Sequence, residues 1–527
     1  MTVGRSLSDL AALLGARGLL RATLPGGREG VGSPTEVGIV DVVLDSRRTT
    51  PGALFAAVVG ERHDGHDFVP AAVAAGAAAV VVERPSAGLA VPQLVVNATR
   101  PALAVAAAWY RGFPSRRLGM VGVTGTDGKT TTVHLARGIL DAAGLQAGLL
   151  GTVDVVVGGV SRGNPARMTT PEAPELQAAL GSMIDAGDRW AVVEASSHGL
   201  AQDRLGEVAW DVAILTNVSA EHLEFHGTRE AYVAAKRRLF GALATGDGNP
   251  QKGYGKTGVV NADDSAGASF AAVVSEAGAR VLRYGSAADA DVRLTSLAAD
   301  ERGLRLGLRT GRWQGDVALP LAGRFNAHNA LAAVALGEAL ALEPGAIRAG
   351  LERARPVPGR MERIAAGQPF AVVVDYAHTA EALAEVLDEL GALAVAAGGG
   401  LIAVFGSGGE RDIVKRPAMG REAGVRCRLV VLTDEDPRGE DRMAILEQIA
   451  AGAEAAGRQR GTEVLLIPER RAAIAAALSA ARRGDVVLCA GKGHEKSIET
   501  AEGPLAWDEA AEVRGALAAL GWSAAGS

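Results

Sequence analysis

The chain has 527 residues, too many for one hydrophobic core, and at about 150 residues per domain the length suggests three or four domains. The composition is that of a soluble globular protein, and a formal net charge of −6 without a large basic cluster excludes a nucleic-acid footprint and favours small-molecule chemistry. Two cysteines, Cys427 and Cys489, exclude a disulfide framework and read as buried free thiols in a reducing cytoplasm.

The N-terminal MTVGRSLSDLAALLGARG carries Asp9 and Arg17 and reads as a short amphipathic helix rather than a signal peptide. Up to about Arg111 the pattern is a small α/β unit with strands in VGIVDVVLDS, GALFAAVV, AAAVVVE and PQLVVN, and a helix in PAAVAAGA. The polar, proline-containing RGFPSRRLG reads as a linker. From Met120 onward strands (MVGVTG, WAVVEAS, DVAILTN, GVVNA) alternate with helices, which predicts a mostly parallel sheet covered on both faces. The insertion ATGDGNPQKGYGKT, residues 244–257, reads as a mobile surface loop. A second break falls at RARPVPGR, Arg353 to Arg360, followed by FAVVVDYAH, LIAVFGSGG, LVVLTDED, TEVLLIP and DVVLCAGKG, the pattern of a second doubly wound sheet. The longest uncharged stretch, Leu390 to Gly409, is broken by glycines and reads as helix end, loop and buried strand. The fold class is therefore α/β with three domains, placed at 1–115, 116–355 and 356–527. The expected location is cytoplasmic, without membrane insertion.

Chemistry concentrates where strands end. In VGVTGTDGKTTT, Gly125 and Gly128 are followed by Lys129, Thr130 and Thr131 and then by a helical pattern that stops at Gly144. Strand, glycine turn, lysine, threonine and helix is the arrangement that wraps backbone N–H groups around a polyphosphate. The strict loop pattern needs a glycine at 123, where this chain has valine, and an ordinary glycine turn is the plainer alternative. WAVVEASSHG ends in Glu194, Ser196, Ser197 and His198, and DVAILTNVSAEHLEFHG in Asn217, Glu221, His222 and His226. Carboxylate and imidazole beside a phosphate loop can hold Mg²⁺, although a hydrogen-bonded loop histidine is the simpler reading of each imidazole. In MTTPEAPEL, Thr169 and Thr170 precede Pro171, so Thr170 reads as a helix N-cap at a helix start that also attracts an anion. In GRFNAHNAL, Asn326 and Asn329 lie one helical turn apart and can either cap or present an amide to an adenine edge. DYAHT places Asp375 and His378 at another strand end.

Single motifs of this kind are moderately specific; their order is highly so. GTDGKTTT, TTPE, EASSHG, TNVSAEHLEFHGT, AAKRRLF, NADD, GRFNAHN, PGRMERI, DYAHT, FGSGGERDIVKRPAMG, TDEDPR and AGKGHE follow one another along one chain. That series closely resembles the Mur ligases, and within them the tripeptide-forming MurE branch. The likeness runs from LDSRRTTPGALFAAVVGERHDGHDF, Leu44 to Phe68, to about Glu495. It implies a small N-terminal uridine-binding domain, a central P-loop ATPase-like domain and a C-terminal Rossmann-like domain. The implied reaction is ATP-dependent addition of an amino acid to UDP-N-acetylmuramoyl-L-alanyl-D-glutamate through an acyl phosphate, in peptidoglycan precursor synthesis. A monomer with small-molecule substrates is expected.

Residue by residue, the resemblance assigns Gly125, Thr126, Asp127, Gly128, Lys129, Thr130 and Thr131 to ATP phosphates and Asn326 to adenine. Thr130 and Glu194 match the magnesium-side positions, and His222 a second metal site. Lys236 matches a lysine carried as a carbamate (an N6-carboxylated lysine), whereas as plain sequence it is a surface helix lysine. Arg360, Asp375 and His378 match positions that the C-terminal domain brings to the nucleotide, and closure of that domain would exclude water from the acyl phosphate. Ser46 matches a uridine-side serine, and Thr169, Thr170, Ser196 and Arg204 match residues holding the muramoyl-dipeptide. Amino-acid choice is assigned to Arg411, Asp436, Arg438, Gly491 and Glu495.

Three departures stand out. Glu435-Asp436-Pro437-Arg438 replaces the D-N-P-R of diaminopimelate-adding members. Arg438 favours meso-diaminopimelate as a bidentate carboxylate partner, while the charge of Asp436 leaves L-lysine or L-ornithine open. Asp127 replaces an asparagine and is expected to hydrogen-bond the loop backbone. Ala380 replaces a proline and should alter only a helix start. The alternatives are another Mur ligase, a folylpolyglutamate synthase or a non-catalytic ATP-binding regulator. TTP with SSHGL, DxPR and GKGHE argues against the first two, and the presence of Lys129, Glu194, His222 and Lys236 against the third.

Overall fold

The computed structural model describes residues 4–26, 37–60, 63–164, 168–219, 223–244, 252, 254–300, 302–410 and 413–522. The chain divides into two compact units, the first formed by residues 1–219, 228–293 and 331–350 and the second by 220–227, 294–330 and 351–527.

The first unit contains two sheets. The N-terminal one has five strands in the order Leu20–Leu24, Gln93–Val96, Ala79–Val82, Ala53–Ala56 and Asp41–Val43. All its pairings are parallel except that of the first strand. The inner strands are uniformly buried, as continuous valine and alanine runs require when both sheet faces are covered. The amphipathic reading of the N-terminus holds: the helix Leu7–Ala16 buries Leu7, Leu10 and Leu14. The edge strand Leu20–Leu24 escapes the sequence pattern because it is half exposed and carries Arg21. RGFPSRRLG is not an exposed linker. Pro114 and Ser115 are buried in a single 3₁₀ turn, and the Ser115 hydroxyl accepts the Ala209 N–H at 3.1 Å.

Within the first unit the central sheet, which has eleven strands in all, runs Val160–Gly163, Asp154–Val157, Ala147–Leu150, Trp190–Glu194, Gly119–Thr124, Val212–Leu215, Thr257–Asn261 and Arg280–Gly285. The first two of these form an antiparallel edge hairpin; the other six are parallel. Gly119–Thr124, first of the parallel strands in the chain, lies between later ones on either side. The carboxyl end of such a strand opens on a crevice where ligands bind. Residues 245–251 and 253 of the insertion lie outside the described residues, and what is described of it is anchored. Lys252 pairs with Asp211 at 2.7 Å, and the Tyr254 ring tilts against Trp190 at 5.3 Å.

In the second unit six strands run in the order Glu362–Arg363, Ala371–Val374, Val486–Cys489, Leu401–Phe405, Leu429–Leu432 and Val464–Leu466. Only the first pairing is antiparallel. Separate apolar clusters fill the two faces, one around Phe405, Met419 and Leu446, the other around Val404, Ile474 and Trp507. This is the doubly wound pattern expected from the sequence. Cys427 and Cys489 are buried and free, and burial pushes both thiols up, Cys427 to about 12. Among the described residues no helix is long and apolar enough to cross a membrane.

The helices Lys415–Arg426 and Arg442–Ala455 meet by close backbone approach, since a Cβ at Gly420 would lie 1.8 Å from the Ile449 carbonyl oxygen. Gly420→Ala should therefore lower stability by about 1–3 kcal/mol through overpacking, read as a shift of the denaturant midpoint for this unit.

Candidate active site

The loop between Gly119–Thr124 and the helix Lys129–Ala142 is shaped by two glycines. Gly125 (φ 155°) lies so close to the next strand that a Cβ would sit 1.8 Å from the Thr216 hydroxyl oxygen. Gly128 (φ 79°) is the left-handed N-cap from which the helix starts, without a side-chain cap among the described residues. The loop is pinned from the neighbouring segment. Asn217 accepts the Thr126 N–H on its carbonyl oxygen and the Asp127 N–H on Oδ1, both at 2.9 Å. The Thr216 hydroxyl donates to the Asp127 carbonyl at 2.6 Å. Thr126 Oγ1 lies 2.9 Å from the Tyr232 hydroxyl. The Asp127 side chain is exposed. Lys129 Nζ donates to the carbonyls of Gly125 (2.9 Å) and Thr126 (2.6 Å), a cation arched over the loop. An uncapped helix start, a glycine cradle and a lysine are together suited to a polyphosphate.

Glu194 ends the strand beside this loop and is fully buried. Its carboxylate accepts the Thr130 hydroxyl at 3.2 Å, the Thr152 N–H at 2.9 Å and the Thr152 hydroxyl at 2.9 Å. Thr152 escaped the sequence reading, although it follows a strand end as the other site residues do. Oxygen donors of this kind suit Mg²⁺. Among the described residues no three His, Cys, Asp or Glu side chains cluster as a metal cage, so an ion here would take further oxygens from phosphates, as Mg²⁺ usually does.

The expected cap at Thr170 is not formed. The adjoining helix spans Ala173–Asp185 with Glu172 at its N-cap position. The Thr170 hydroxyl is used in tertiary contacts instead, donating to the Glu194 carbonyl at 2.8 Å and accepting the Ser196 N–H at 2.9 Å. Thr169 Oγ1 lies 3.0 Å from the Thr152 hydroxyl oxygen. Arg204 Nε pairs with Glu172 at 2.9 Å and Nη1 donates to the Thr170 carbonyl at 3.0 Å. Thr169, Thr170, Ser196 and Arg204 thus form one polar network with Glu194. Ser46 sits in a short 3₁₀ turn after the strand Asp41–Val43 of the N-terminal sheet.

Lys236 is not a surface lysine. It is 1% exposed in the helix Arg229–Gly241, donates to the Gly125 carbonyl at 2.7 Å and lies 4.3 Å from the Tyr232 ring centroid. Among the candidate residues, His222 and Arg411 lie outside the described residues, as does Glu221.

The second unit gathers the remaining candidates in separate places. Asn326 and Asn329 are nearly buried at the start of the helix Asn326–Ala339. Asn326 donates to the Ala322 carbonyl at 2.6 Å and accepts from Asn329 at 2.8 Å. Asp375 follows the strand Ala371–Val374 and accepts the N–H groups of Met361 (2.7 Å) and Ala377 (2.8 Å). The Arg360 guanidinium lies 4.5 Å from the Tyr376 ring centroid, and His378 lies 4.7 Å from that ring. Ala380 starts its helix with Thr379 as N-cap, so the missing proline costs no helix start.

The loops after Leu401–Phe405, Leu429–Leu432 and Val486–Cys489 converge on Asp436. Its Oδ1 accepts Lys492 Nζ and the Glu499 N–H, each at 2.8 Å, and its Oδ2 lies 3.8 Å from Arg438 Nη2. Arg438 is left-handed (φ 51°) and donates to the Gly409 carbonyl at 2.6 Å. Lys492, 1% exposed, also pairs with Glu495, whose carboxyl burial pushes up. Glu435 is 9% exposed, and its Oε2 has no hydrogen-bond partner among the described residues. That oxygen would lie 2.9 Å from a Cβ at Gly491. Lys492 and Glu435 were not singled out from sequence, although both lie inside the motifs AGKGHE and TDEDPR. Arg416, fully buried, binds both Glu440 oxygens at 2.6 and 2.8 Å and holds that carboxyl down to about 2.

Comparison with known proteins gives one family along the chain. Residues 39–113 match the profile described as Mur ligase family, catalytic domain, residues 123–337 the Mur ligase middle domain, and residues 359–493 the Mur ligase glutamate ligase domain. The chain is 50% identical over 498 residues to a UDP-N-acetylmuramyl-tripeptide synthetase of Roseiflexus sp. (strain RS-1), covering 93% of this chain and 96% of that protein. It is 40% identical over 484 residues to a UDP-N-acetylmuramoyl-L-alanyl-D-glutamate–2,6-diaminopimelate ligase of Geobacter metallireducens, covering 88% and 92%. A solved structure of a protein with that same activity name aligns with a TM-score of 0.65 at 30% identity, covering 99% of this chain and 100% of the other.

His494 generates a pH prediction. Burial, with Arg360, Lys496 and Lys492 adding to it, pushes this imidazole down from 6.5 to about 3. The unfolded chain therefore binds the extra proton between pH 6.5 and 3. The stabilisation is complete above the unfolded value and is lost as pH falls toward the folded one. His494→Gln should flatten the decline of unfolding free energy between pH 6.5 and 3, measured by denaturant titration across that window.

Proposed function

The chain belongs to the Mur ligase family of ATP-dependent, ADP-forming ligases, and we propose that it acts in the MurE branch, joining a diamino acid to the D-glutamate of UDP-N-acetylmuramoyl-L-alanyl-D-glutamate. The observation that carries this reading is the constellation around Gly125. The buried Glu194 carboxylate meets Thr130, and the ammonium of Lys129 and the amine of Lys236 both donate to the Gly125 carbonyl. A UDP-linked substrate fits reaction in the cytoplasm. We assign uridine binding to residues 1–115, ATP binding to 116–355 and amino-acid binding to 356–527.

In this proposal the γ-carboxylate of the substrate attacks the terminal phosphorus of ATP, ADP leaves and an acyl phosphate forms. The amine of the incoming residue then displaces phosphate. Lys129 and the loop amides offset charge growing on the phosphoryl oxygens. Thr130 and Glu194 would hold Mg²⁺, which would supply Lewis-acid charge to the same oxygens. Thr170, Ser196 and Arg204 orient the muramoyl-dipeptide. His222 and a carbamate on Lys236 would serve a second cation, the modification turning an amine into an oxygen ligand. Asn326 reads adenine, while Arg360, Asp375 and His378 serve the nucleotide.

For the residue that is added, the pocket favours a side chain ending in a bare ammonium, L-lysine or L-ornithine. Among the described residues its carboxylates Glu435, Asp436 and Glu495 outnumber the neighbouring cations Lys492 and Arg438, and Glu435 keeps a buried oxygen without a hydrogen-bond partner among them. An ammonium placed there removes an unmet electrostatic demand. meso-Diaminopimelate is the second reading, supported by Arg438 and by the activity names of the 38–40% identical relatives.

Purified protein supplied with ATP, Mg²⁺ and the UDP-muramoyl-dipeptide should release phosphate and form tripeptide with L-lysine or L-ornithine in preference to meso-diaminopimelate. No product with any of the three refutes the ligase assignment within this branch, and selective use of diaminopimelate refutes the ammonium reading. Lys236→Ala should lower kcat by about 10²-fold or more, with partial recovery on adding a short carboxylic acid. Undiminished turnover in that variant excludes a carbamate role.

A further inference from the structure

Two loops of the second unit carry the side chains of the diamino-acid pocket. One begins at Thr433, after the strand Leu429–Leu432, and holds Glu435, Asp436 and Arg438. The other begins at Ala490, after Val486–Cys489, and holds Gly491, Lys492 and Glu495. One guanidinium binds a carbonyl near the start of each. Arg470, 1% exposed at the start of the helix Arg470–Ala480, donates from Nη1 to the Asp434 carbonyl at 2.8 Å and from Nη2 to the Ala490 carbonyl at 2.7 Å. Two further donors meet the Glu509 carboxylate, Nε at 2.8 Å and Nη2 at 2.6 Å. Glu509 has no exposed surface and also receives the Trp507 indole N–H at 2.6 Å.

A buried ion pair of this kind adds little net stability over a well-packed apolar pair, because both charges must be desolvated. Its planar fork does something an apolar pair cannot, fixing two carbonyls at one spacing. Each carbonyl is one peptide bond from a pocket residue, Glu435 on one side and Gly491 on the other. Those two residues already approach to contact across the loops. A shift of one loop would therefore change where Glu435 stands relative to Lys492 and Glu495.

We infer that Arg470, held by Glu509, is a positioning residue for the diamino acid, setting the separation of the two loops that bind it. The inference rests on the proposed function and adds to it a part of the chain, Trp507 and the helix Glu509–Ala519, that lies beyond the matched motifs.

The test uses the full-length enzyme and two variants. Arg470→Lys keeps the charge but cannot span both carbonyls. The double variant Arg470→Met with Glu509→Leu removes the pair together, so that no charge is stranded and only the clamp on the two carbonyls and the Trp507 partner are lost, a second route to a folded protein if the lysine variant does not fold. In a folded variant the KM for the diamino acid should rise roughly tenfold or more. The values of kcat at saturation and of KM for ATP and for the UDP-linked substrate should stay within about twofold. An unmoved amino-acid KM, or a proportional fall of all parameters as for a structural defect, overturns the inference alone. A wild-type enzyme inert toward all three diamino acids overturns the functional reading and this inference with it.

Discussion

A carboxylate with no exposed surface must have its lone pairs answered by donors, and the first unit is organised around meeting that demand at Glu194. Three groups answer it: the hydroxyl of Thr130 from the first turn of the phosphate-loop helix, and the hydroxyl and N–H of Thr152 from the segment after Ala147–Leu150. The carbonyl of the same residue receives Thr170. One strand end thus ties the phosphate loop, the neighbouring strand and the TTPE segment into a single network. Parallel pairing makes this possible, because it brings the carboxyl ends of Ala147–Leu150, Trp190–Glu194 and Gly119–Thr124 to the same edge of the sheet.

The second unit solves a similar problem with the opposite charge. Its loops are polar and irregular, and three non-glycine residues in them, Met361, Glu410 and Arg438, adopt left-handed backbone conformations. Such conformations persist only where surrounding contacts over-determine them. The Met361 N–H is held by the Asp375 carboxylate and the Arg438 N–H by the Glu499 carbonyl, while a buried guanidinium supports Glu410. Arg416 binds the Gly408 carbonyl and Glu440, and Glu440 in turn accepts the Glu410 N–H. Arg470 binds the loops on the other side of the sheet. A short, multiply bonded arginine suits this role because its five donors are fixed in one plane.

Sequence made the strands and the phosphate loop legible because their signals are local: β-branched runs, glycines at fixed offsets, and a lysine at the helix start. What escaped it was tertiary. Lys236 sits in a helix rich in arginine and alanine, and only the fold turns it toward the Gly125 carbonyl, 111 residues away in sequence. Thr170 carried a complete local signal for a helix cap, and a tertiary contact with Glu194 outcompeted it. The edge strands Leu20–Leu24, half exposed, and Val160–Gly163, exposed throughout, were missed because such edges lack the apolar runs that mark central strands. Lys492 stood inside a recognised motif, but its pairing with Asp436 spans 56 residues and no local spacing encodes it.

That last pairing changes how the EDPR departure is to be understood. Taken alone, an aspartate in place of asparagine adds a negative charge where an incoming carboxylate would have to sit. In the folded chain Asp436 faces Lys492 and the Glu499 N–H, so its charge is answered by the protein itself. The adjacent position then matters more. Glu435 is buried beside Gly491 with one oxygen unmatched among the described residues, and Glu495 adds a second carboxyl against the same lysine. Among the described residues two cations, Lys492 and Arg438, stand against these three carboxylates. The charge balance of the loops, rather than the identity of position 436, is what favours an ammonium as the group they receive.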